Sequence, residues 1–330
     1  MKILCFGVRD YEMDIFHTVE RECGYEFILS SQYLNNDNYE CAYGYNAIIV
    51  RANCVFSENS LKKLYDHGLR FILTRTIGYD HIPLDYCKRL GIKVAYAPGY
   101  SPASIAELSI ALAMNLFCKI NEVCVNTSQY DFTLPSTLMR KEIVNSTVGI
   151  IGVGRIGKAV SRVYRAMGAD VLGYDIYEDP AMRGIVRYVD LDTLLERADI
   201  ISIHLSNDLG DNYHLINEAR FKRMKQDVLL VNTARGEIVD TEALVKYIKN
   251  GKVLGAGIDV LENEKDVFFK KRKVEELDPV ARELVSLYPR VIITPHISSS
   301  TVAAVYDSLR ITVDNLTKLI TQKECENELV

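Results

Sequence analysis

The sequence predicts an α/β protein with two parallel sheets. Short apolar runs alternate with amphipathic stretches over the first hundred residues and again from Thr147 onward, which is typical of βαβ units. A glycine-rich turn, GVGRIG at 152–157, lies at the start of the second series. Three polar residues, Arg235, Glu264 and His296, each follow an apolar run. Because ligands bind beyond the carboxyl ends of the strands in an open α/β sheet, this edge is expected to carry the chemistry.

Length and composition restrict the class of protein. The 330 residues, of which 48% are hydrophobic and 25% charged, are enough for two domains with sizeable cores. A net charge of -5 argues against a nucleic-acid partner. The eight cysteines show no CxxC pair and no Cys/His spacing of a metal site, so we expect a reducing cytoplasm and no metal. The start, MKILCFGVRD, reaches charge too soon for a signal peptide, so export is not expected.

The first series predicts four strands, at KILCFGV, NAIIV, RFILTRTI and KVAYAP, with helices at 11–23, 57–67 and 83–90. A long helix then leaves this domain, with Ser101 as N-cap and Pro102 at its first position. Its apolar run 108–118 is shorter than the roughly 18 residues of a membrane span. We expect this run in a core or an interface, and no contact with a membrane.

The second series predicts six parallel strands, at TVGIIG, DVLGYD, DIISIHL, VLLVNTA, LGAGIDV and VIITPH. The last segment, 301–322, has a helical apolar face and no strand after it, so we expect it to pack back on the first domain. The predicted domains are therefore a substrate-binding domain, residues 1–100 with 300–330, and a nucleotide-binding domain, residues 101–299. The site is expected in the cleft between them.

The glycine turn at 152–157 has the G-x-G-x-x-G spacing of a Rossmann dinucleotide-binding domain. Asp175 ends the next strand, where a carboxylate can bind ribose hydroxyls, and Ile176 and Tyr177 follow it without a basic neighbour for a 2′-phosphate. This arrangement predicts NAD rather than NADP. The alternatives are a turn that only packs a helix, and a methyltransferase, which would not need the downstream Arg, Glu and His.

Arg235, Glu264 and His296, the three strand-end residues, are the residue types needed at an active site that reduces a 2-oxo acid. Hydride addition to C2 builds negative charge on the carbonyl oxygen, so a proton donor must lie beside it, and a histidine suits this task. His296 is the candidate donor, with Glu264 favouring its protonated form and fixing its tautomer. Arg235 would bind the substrate carboxylate bidentately and polarise the carbonyl. Taken singly, each residue has a structural alternative: a core histidine, an exposed carboxylate and an ion-paired arginine.

Together these motifs resemble the D-2-hydroxyacid dehydrogenase family over essentially the whole chain. The matching stretches are RTIGYDHI, YSPASIAE, GVGRIGKAV, VNTARGEIVD, GIDVLENE and TPHIS. The resemblance implies a flavodoxin-like substrate domain beside the Rossmann domain, and it places the family's catalytic set on the three strand-end residues. It also implies substrate binding by the backbone amides of Ile77 and Gly78 and by Tyr100, and a homodimer built through the helix after Tyr100.

The residues expected to contact the cofactor are predicted by the glycine turn at 152–157, called here the glycine fingerprint, and by the same resemblance. They fall on Gly152, Gly154, Arg155, Ile156, Gly157, Asp175, Asn212, Thr233, Ala234 and Asp259. The last of these matches an aspartate near the nicotinamide amide. One departure is Ser206, two residues after His204, where the family often has proline.

The substrate is indicated by Arg51, which ends a strand of the first domain in IIVRANCVF. This stretch is similar to that of (R)-2-hydroxyglutarate dehydrogenases, and a second arginine could pair with the distal carboxylate of a diacid such as 2-oxoglutarate. Ser298, Ser299 and Ser300 stand where lactate-type members often have aromatics, which favours a longer pocket. One alternative is D-lactate or D-2-hydroxyisocaproate dehydrogenase activity, with Arg51 at a solvent-facing strand terminus or in an intramolecular ion pair. Another is an NAD-sensing corepressor without catalysis.

Overall fold

The computed structural model describes residues 1–99, 101–134, 136–205 and 212–330, without the side chains of residues 265 and 266. The chain divides into two compact units, Met1–Ser101 with Ser300–Val330, and Pro102–Ser299. Each unit contains one parallel sheet with helices packed on it. The predicted α/β class is therefore confirmed.

The first unit has a five-stranded parallel sheet in the order β2-β1-β3-β4-β5. Its strands are β1 (Lys2–Cys5), β2 (Glu26–Leu29), β3 (Ala47–Val50), β4 (Phe71–Thr74) and β5 (Lys93–Tyr96). Its first three helices are α1 (Met13–Cys23), α2 (Glu58–Asp66) and α3 (Leu84–Leu90). The sequence did not predict β2, because only Phe27 of this edge strand is buried and the apolar run is too short to stand out.

The second unit has a seven-stranded parallel sheet in the order β12-β11-β10-β9-β6-β7-β8. Its strands are β6 (Thr147–Ile151), β7 (Asp170–Tyr174), β8 (Arg187–Tyr188), β9 (Ile200–Ile203), β10 (Val228–Asn232), β11 (Val253–Ile258) and β12 (Val291–Ile293). The prediction of six strands is wrong by one, because β8 has only two residues and no buried run.

Among the described residues, eight helices belong to the second unit. They are α4 (Pro102–Phe117), α5 (Ile120–Ser128), α6 (Arg155–Ala166), α7 (Leu191–Arg197), α8 (Glu218–Arg223), α9 (Thr241–Lys249), α10 (Glu264–Val267) and α11 (Pro279–Ser286). The predicted start of the long helix at Pro102 is confirmed. The sheet order reverses between β6 and β9, because β6 to β8 run to one side and β9 to β12 to the other. Such a reversal marks the place where an α/β sheet binds its ligand.

Helix α4 is a core element of the second unit. Leu112, Ala113 and Leu116 are buried in one apolar cluster with Val148 and Ile150 of β6. The run 108–118 is therefore largely intramolecular core, and the dimer through this helix that the resemblance implied stays a prediction. Within the described residues no single helix is long and apolar enough to cross a membrane; α4 and α5 pass that test only as a pair, bent by 62°.

The segment after α5 exposes the large apolar side chains instead. Tyr130, Phe132, Leu134 and Met139 are between 72% and 88% exposed. Such a concentration of exposed apolar side chains is unusual for the free surface of a protein and is typical of an interaction surface.

The last helix, α12 (Val302–Ile320), completes the first unit. Its buried Leu309, Val313 and Leu316 pack in one cluster with Ile3 and Ile49 of the sheet. The residues after α12 then pair antiparallel with β5, where the backbone N–H of Leu329 donates to the carbonyl oxygen of Val94 at 2.8 Å. This pairing covers an edge strand that would otherwise present free backbone groups.

Candidate active site

The three predicted catalytic residues follow three adjacent strands of the second unit. Arg235 follows β10, Glu264 follows β11 and begins α10, and His296 follows β12. Because the strands are parallel, all three residues lie beyond the same edge of the sheet. The sequence pattern that suggested this edge therefore has a direct structural counterpart.

His296 and Glu264 form a hydrogen-bonded pair. The Nδ1 atom of His296 lies 2.6 Å from Oε1 of Glu264, with side chains 33% and 22% exposed. An ionised carboxylate only accepts hydrogen bonds, so Nδ1 carries the proton of this contact. The Nε2 atom has no hydrogen-bond partner within the described residues and is left for another group.

The segment that carries His296 is held by the buried carboxylate of Asp259. Oδ1 accepts from Thr294 Oγ1 at 2.6 Å and from the Ile297 N–H at 2.9 Å, and Oδ2 accepts from the Ser298 N–H at 3.0 Å. The backbone N–H of His296 donates to the Asp259 carbonyl at 2.9 Å. These bonds maintain the left-handed backbone of His296, with φ of 52°, which is uncommon for a residue other than glycine.

Asn232 performs a similar task for Arg235. This fully buried residue donates from Nδ2 to the Arg235 carbonyl at 2.8 Å, and its Oδ1 accepts from the Ala234 N–H at 3.0 Å. The amide thus closes the turn between β10 and Arg235. The sequence analysis missed this residue, although a polar side chain at the end of the buried run VLLVN was a signal for it.

The glycine fingerprint has the shape that a dinucleotide requires. Gly152 has φ of 93°, and a Cβ atom at Gly157 would overlap the Gly152 carbonyl oxygen, so helix and turn pack closely only with glycine there. A Cβ atom at Gly154 would meet no atom within 4 Å. Gly154 is exposed at the N-terminus of α6, with Arg155 and Ile156 in the first turn. The open space at this helix N-terminus fits a pyrophosphate.

Asp175 lies beside this turn. Its Oδ2 accepts from the Val153 N–H at 2.6 Å and its Oδ1 from the Tyr177 N–H at 3.0 Å. The neighbouring Ile176 and Tyr177 are mostly exposed, and no basic residue follows directly. The partly exposed carboxylate fits ribose hydroxyls and does not fit a 2′-phosphate.

The remaining predicted cofactor contacts differ in how their polar atoms are used. The hydroxyl of Thr233 is buried without a hydrogen-bond partner in the described part of the chain. Asn212 begins a turn in which its carbonyl accepts from the Leu215 N–H at 3.1 Å. The carboxylate of Asp259 is fully buried and bonded to the segment after β12, so its contact with the nicotinamide stays a prediction.

The predicted substrate residues belong to the first unit. Ile77 and Gly78 follow β4, and neither backbone N–H donates a hydrogen bond within the described residues. The Thr76 hydroxyl fixes their turn by donating to the Gly78 carbonyl at 2.7 Å. Two adjacent N–H groups of this kind can donate hydrogen bonds to a carboxylate. Tyr100 lies outside the described residues.

Arg51 forms the intramolecular ion pair that the sequence left open, because its Nη1 lies 3.2 Å from Oε1 of the buried Glu12. Arg75, which is also buried, donates to both oxygens of the same carboxylate at 3.0 and 2.8 Å. Burial alone would raise the pKa of Glu12, but the hydrogen bonds and charges of the two arginines hold it below its ordinary value. Burial and the charge of Arg75 lower the pKa of Arg51 to about 10. Two guanidinium groups therefore share one carboxylate, which leaves an excess positive charge.

The serines after His296 differ in their contacts. Ser298 is only 5% exposed, its N–H is bound to Asp259, and its carbonyl accepts from Ser104 Oγ at 2.8 Å. Ser298 is therefore buried within its own unit, and the longer pocket expected from the three serines stays a prediction. Ser300 accepts a bond of 3.4 Å from Arg9 in the first unit.

Residues 110–298, more than half of the chain, match the model of the NAD binding domain of D-isomer specific 2-hydroxyacid dehydrogenase. The chain belongs to this family. The D-lactate dehydrogenase of Escherichia coli is 34% identical over 332 residues, and an aromatic 2-oxoacid reductase of Clostridium sporogenes is 35% identical over 333; the matches cover all of this chain and 99% or more of each relative. The crystal structure of the D-lactate dehydrogenase of Lactobacillus jensenii with NAD⁺ aligns over both full chains with a TM-score of 0.88 and 34% identity.

The family confirms the coarse function. The chain is an NAD-dependent oxidoreductase of D-2-hydroxy acids, and its fold combines a Rossmann NAD-binding domain with a substrate domain.

Two glycine substitutions test the nucleotide turn. Gly154→Ala should fold with the thermal stability of the wild type, because its Cβ meets no atom, but it should raise the Kd for NADH at least about tenfold by filling the space for the pyrophosphate. Gly157→Ala should instead lower Tm by several degrees, because its Cβ overlaps backbone. Differential scanning fluorimetry and NADH fluorescence titration measure both effects. Wild-type NADH affinity in Gly154→Ala would refute this account of the turn.

Proposed function

We propose that this chain reduces a 2-oxo acid with NADH to the D-2-hydroxy acid, with His296 as the proton donor. The observation that carries the proposal is the 2.6 Å contact between His296 Nδ1 and Glu264. It occupies one ring nitrogen, orients the imidazole and leaves Nε2 for the substrate. A carboxylate in this position also stabilises the imidazolium form, which is the form that can donate a proton.

The chemistry divides among the three strand-end residues. Bound NADH supplies a hydride to C2 of the oxo acid. Arg235 binds the C1 carboxylate through its planar guanidinium and stabilises the charge that develops on the carbonyl oxygen. His296 donates the proton on Nε2 to this oxygen, which completes the hydroxyl group, and the neutral imidazole keeps its Nδ1 proton on Glu264. In the reverse direction the neutral Nε2 accepts the hydroxyl proton.

For the substrate we propose a dicarboxylic 2-oxo acid such as 2-oxoglutarate, with pyruvate as the competing candidate. The diacid is supported by Arg51, whose charge is only partly neutralised because Glu12 is shared with Arg75. Most N–H groups of Arg51 are not used by Glu12, since Nη1 makes the only contact. Pyruvate is supported by the relatives named D-lactate dehydrogenase.

We further propose that the chain forms a homodimer through the exposed residues 130–134 and 136–139, and that it acts in the cytoplasm. The dimer is supported by four apolar side chains at least 72% exposed in this segment. The compartment is supported by the eight cysteines, which lie within the described residues and are all free thiols.

His296→Ala should lower kcat by about 10²- to 10⁴-fold, the usual contribution of a general acid, with the Kd for NADH unchanged. The control is His17→Ala, which removes an imidazole 3.5 Å from Glu20 on the surface of α1 and should keep the wild-type kcat. Steady-state NADH oxidation and NADH titration measure the two quantities. Retention of kcat in folded His296→Ala would contradict the proposed role.

Arg51→Gln should lower kcat/KM for 2-oxoglutarate at least about tenfold more than for pyruvate, because it removes a charged hydrogen bond to the distal carboxylate only. Glu12 keeps its bidentate partner Arg75 in this variant, so folding should persist. Arg89→Gln, which removes an exposed charge paired with Glu58, is the matched control. Equal losses for both acids, or a wild-type preference for pyruvate, would exclude the diacid.

Sedimentation equilibrium tests the dimer. The wild type should sediment at twice the chain mass of 37.4 kDa, whereas the double substitution Phe132→Glu with Leu134→Glu should sediment as a monomer, because burying two carboxylates in an interface is costly. A wild-type monomer at micromolar concentration, or a dimer in the variant, would contradict the proposed surface.

A further inference from the structure

His204 lies where the sheet of the second unit reverses its order. It follows β9 directly, and β9 is paired with β6, the strand that ends at the glycine fingerprint. The two strand ends are in close contact, because a Cβ atom on Gly152 would lie 2.8 Å from the carbonyl carbon and oxygen of His204. The backbone of His204 therefore forms one wall of the turn that receives the nucleotide.

The imidazole of His204 uses only one of its two nitrogens. Nε2 lies 2.8 Å from Ser202 Oγ, which lies 2.8 Å from Ser109 Oγ on α4. Nδ1 is buried and has no hydrogen-bond partner within the described residues. Burial lowers the pKa of His204 to about 3, so the ring is neutral at any working pH. A buried polar atom without a partner is rare in proteins and requires an explanation.

The next strand end shows the same feature. Thr233 follows β10, the neighbour of β9, and its buried Oγ1 also lacks a partner in the described part of the chain. Two polar atoms without partners thus occur at adjacent strand ends on the same side of the fingerprint. Their common position suggests that one ligand supplies both missing hydrogen bonds.

We propose that His204 Nδ1 hydrogen-bonds to the nicotinamide half of the bound dinucleotide, which makes His204 a cofactor-binding residue. Asp175, which fits the adenosine ribose, follows β7 on the other side of β6. A dinucleotide lies across the reversal point of such a sheet, so the β9 side receives its other half. The inference rests on NAD binding and not on the proposed proton donor or substrate.

Two substitutions separate this role from a purely structural one. The side-chain amide of glutamine reaches the position of Nε2, so His204→Gln keeps the contact with Ser202 but loses the group at Nδ1. The shorter amide of asparagine stands near Nδ1, so His204→Asn keeps a donor and an acceptor there and loses the contact with Ser202. A cofactor contact requires the Nδ1 position, whereas a structural role requires the Nε2 position.

The Kd values for NADH and ADP, measured without substrate by fluorescence titration and calorimetry, give the readout. His204→Gln should raise the Kd for NADH roughly three- to tenfold, the effect of about one neutral hydrogen bond. His204→Asn should recover most of this loss. Neither variant should change the Kd for ADP, which lacks the nicotinamide half. Both variants should stay folded at the temperature of the titration.

Three results would overturn the inference. The first is wild-type NADH affinity in His204→Gln, and the second is a larger loss in His204→Asn than in His204→Gln. The third is a parallel loss of ADP affinity, which would indicate a distorted fingerprint. Because turnover is not measured, failure of the proposed proton donor would leave this test unaffected, and His296→Ala serves as the reference that should bind NADH normally.

Discussion

The buried carboxylate of Asp259 is the interaction on which the reacting part of the second unit depends. It lies at the end of β11 and binds the segment after β12 through one hydroxyl and two backbone N–H groups. The backbone of His296 can therefore keep a left-handed conformation that its own sequence does not favour. In this position the imidazole of His296 meets Glu264, which follows the same strand as Asp259.

Neighbouring strand ends divide the chemical work along one sheet edge. In our proposal, Arg235 after β10 binds the substrate carboxylate, and Glu264 after β11 orients His296, the proton donor after β12. The glycine turn follows β6, and Asp175, the proposed ribose ligand, follows β7. His204 and Thr233 follow β9 and β10, which lie between β6 and β11 in the sheet. Each reactive side chain depends on a buried polar neighbour, as Arg235 does on Asn232. Rigid strands with short, internally bonded loops explain how the groups keep their orientation without a bound ligand.

The sequence singled out the reactive residues, but it missed Asn232 and assigned Asp259 to the cofactor rather than to the loop of His296. Arg235, Glu264 and His296 stand out because polar groups end apolar runs, and the fingerprint has a fixed spacing. The bond between Asp259 and the His296 loop depends on strand order, which the sequence does not contain. The sequence also left open whether the apolar run of α4 packs in the core of its own chain or against another chain, because composition does not identify the surface that covers it. Arg51 was visible, but its sharing of Glu12 with Arg75 required the packing of three separate segments.

The central claim is that the loop bonded to Asp259 places His296 for proton transfer. Asp259→Asn is the most direct measurement, because the amide has nearly the same shape but puts an NH₂ group against one set of donors. At saturating NADH and 2-oxo acid, we predict that kcat falls at least about tenfold while the protein stays folded, since misplacing a catalytic group is costly. An unchanged kcat in folded Asp259→Asn would contradict the account.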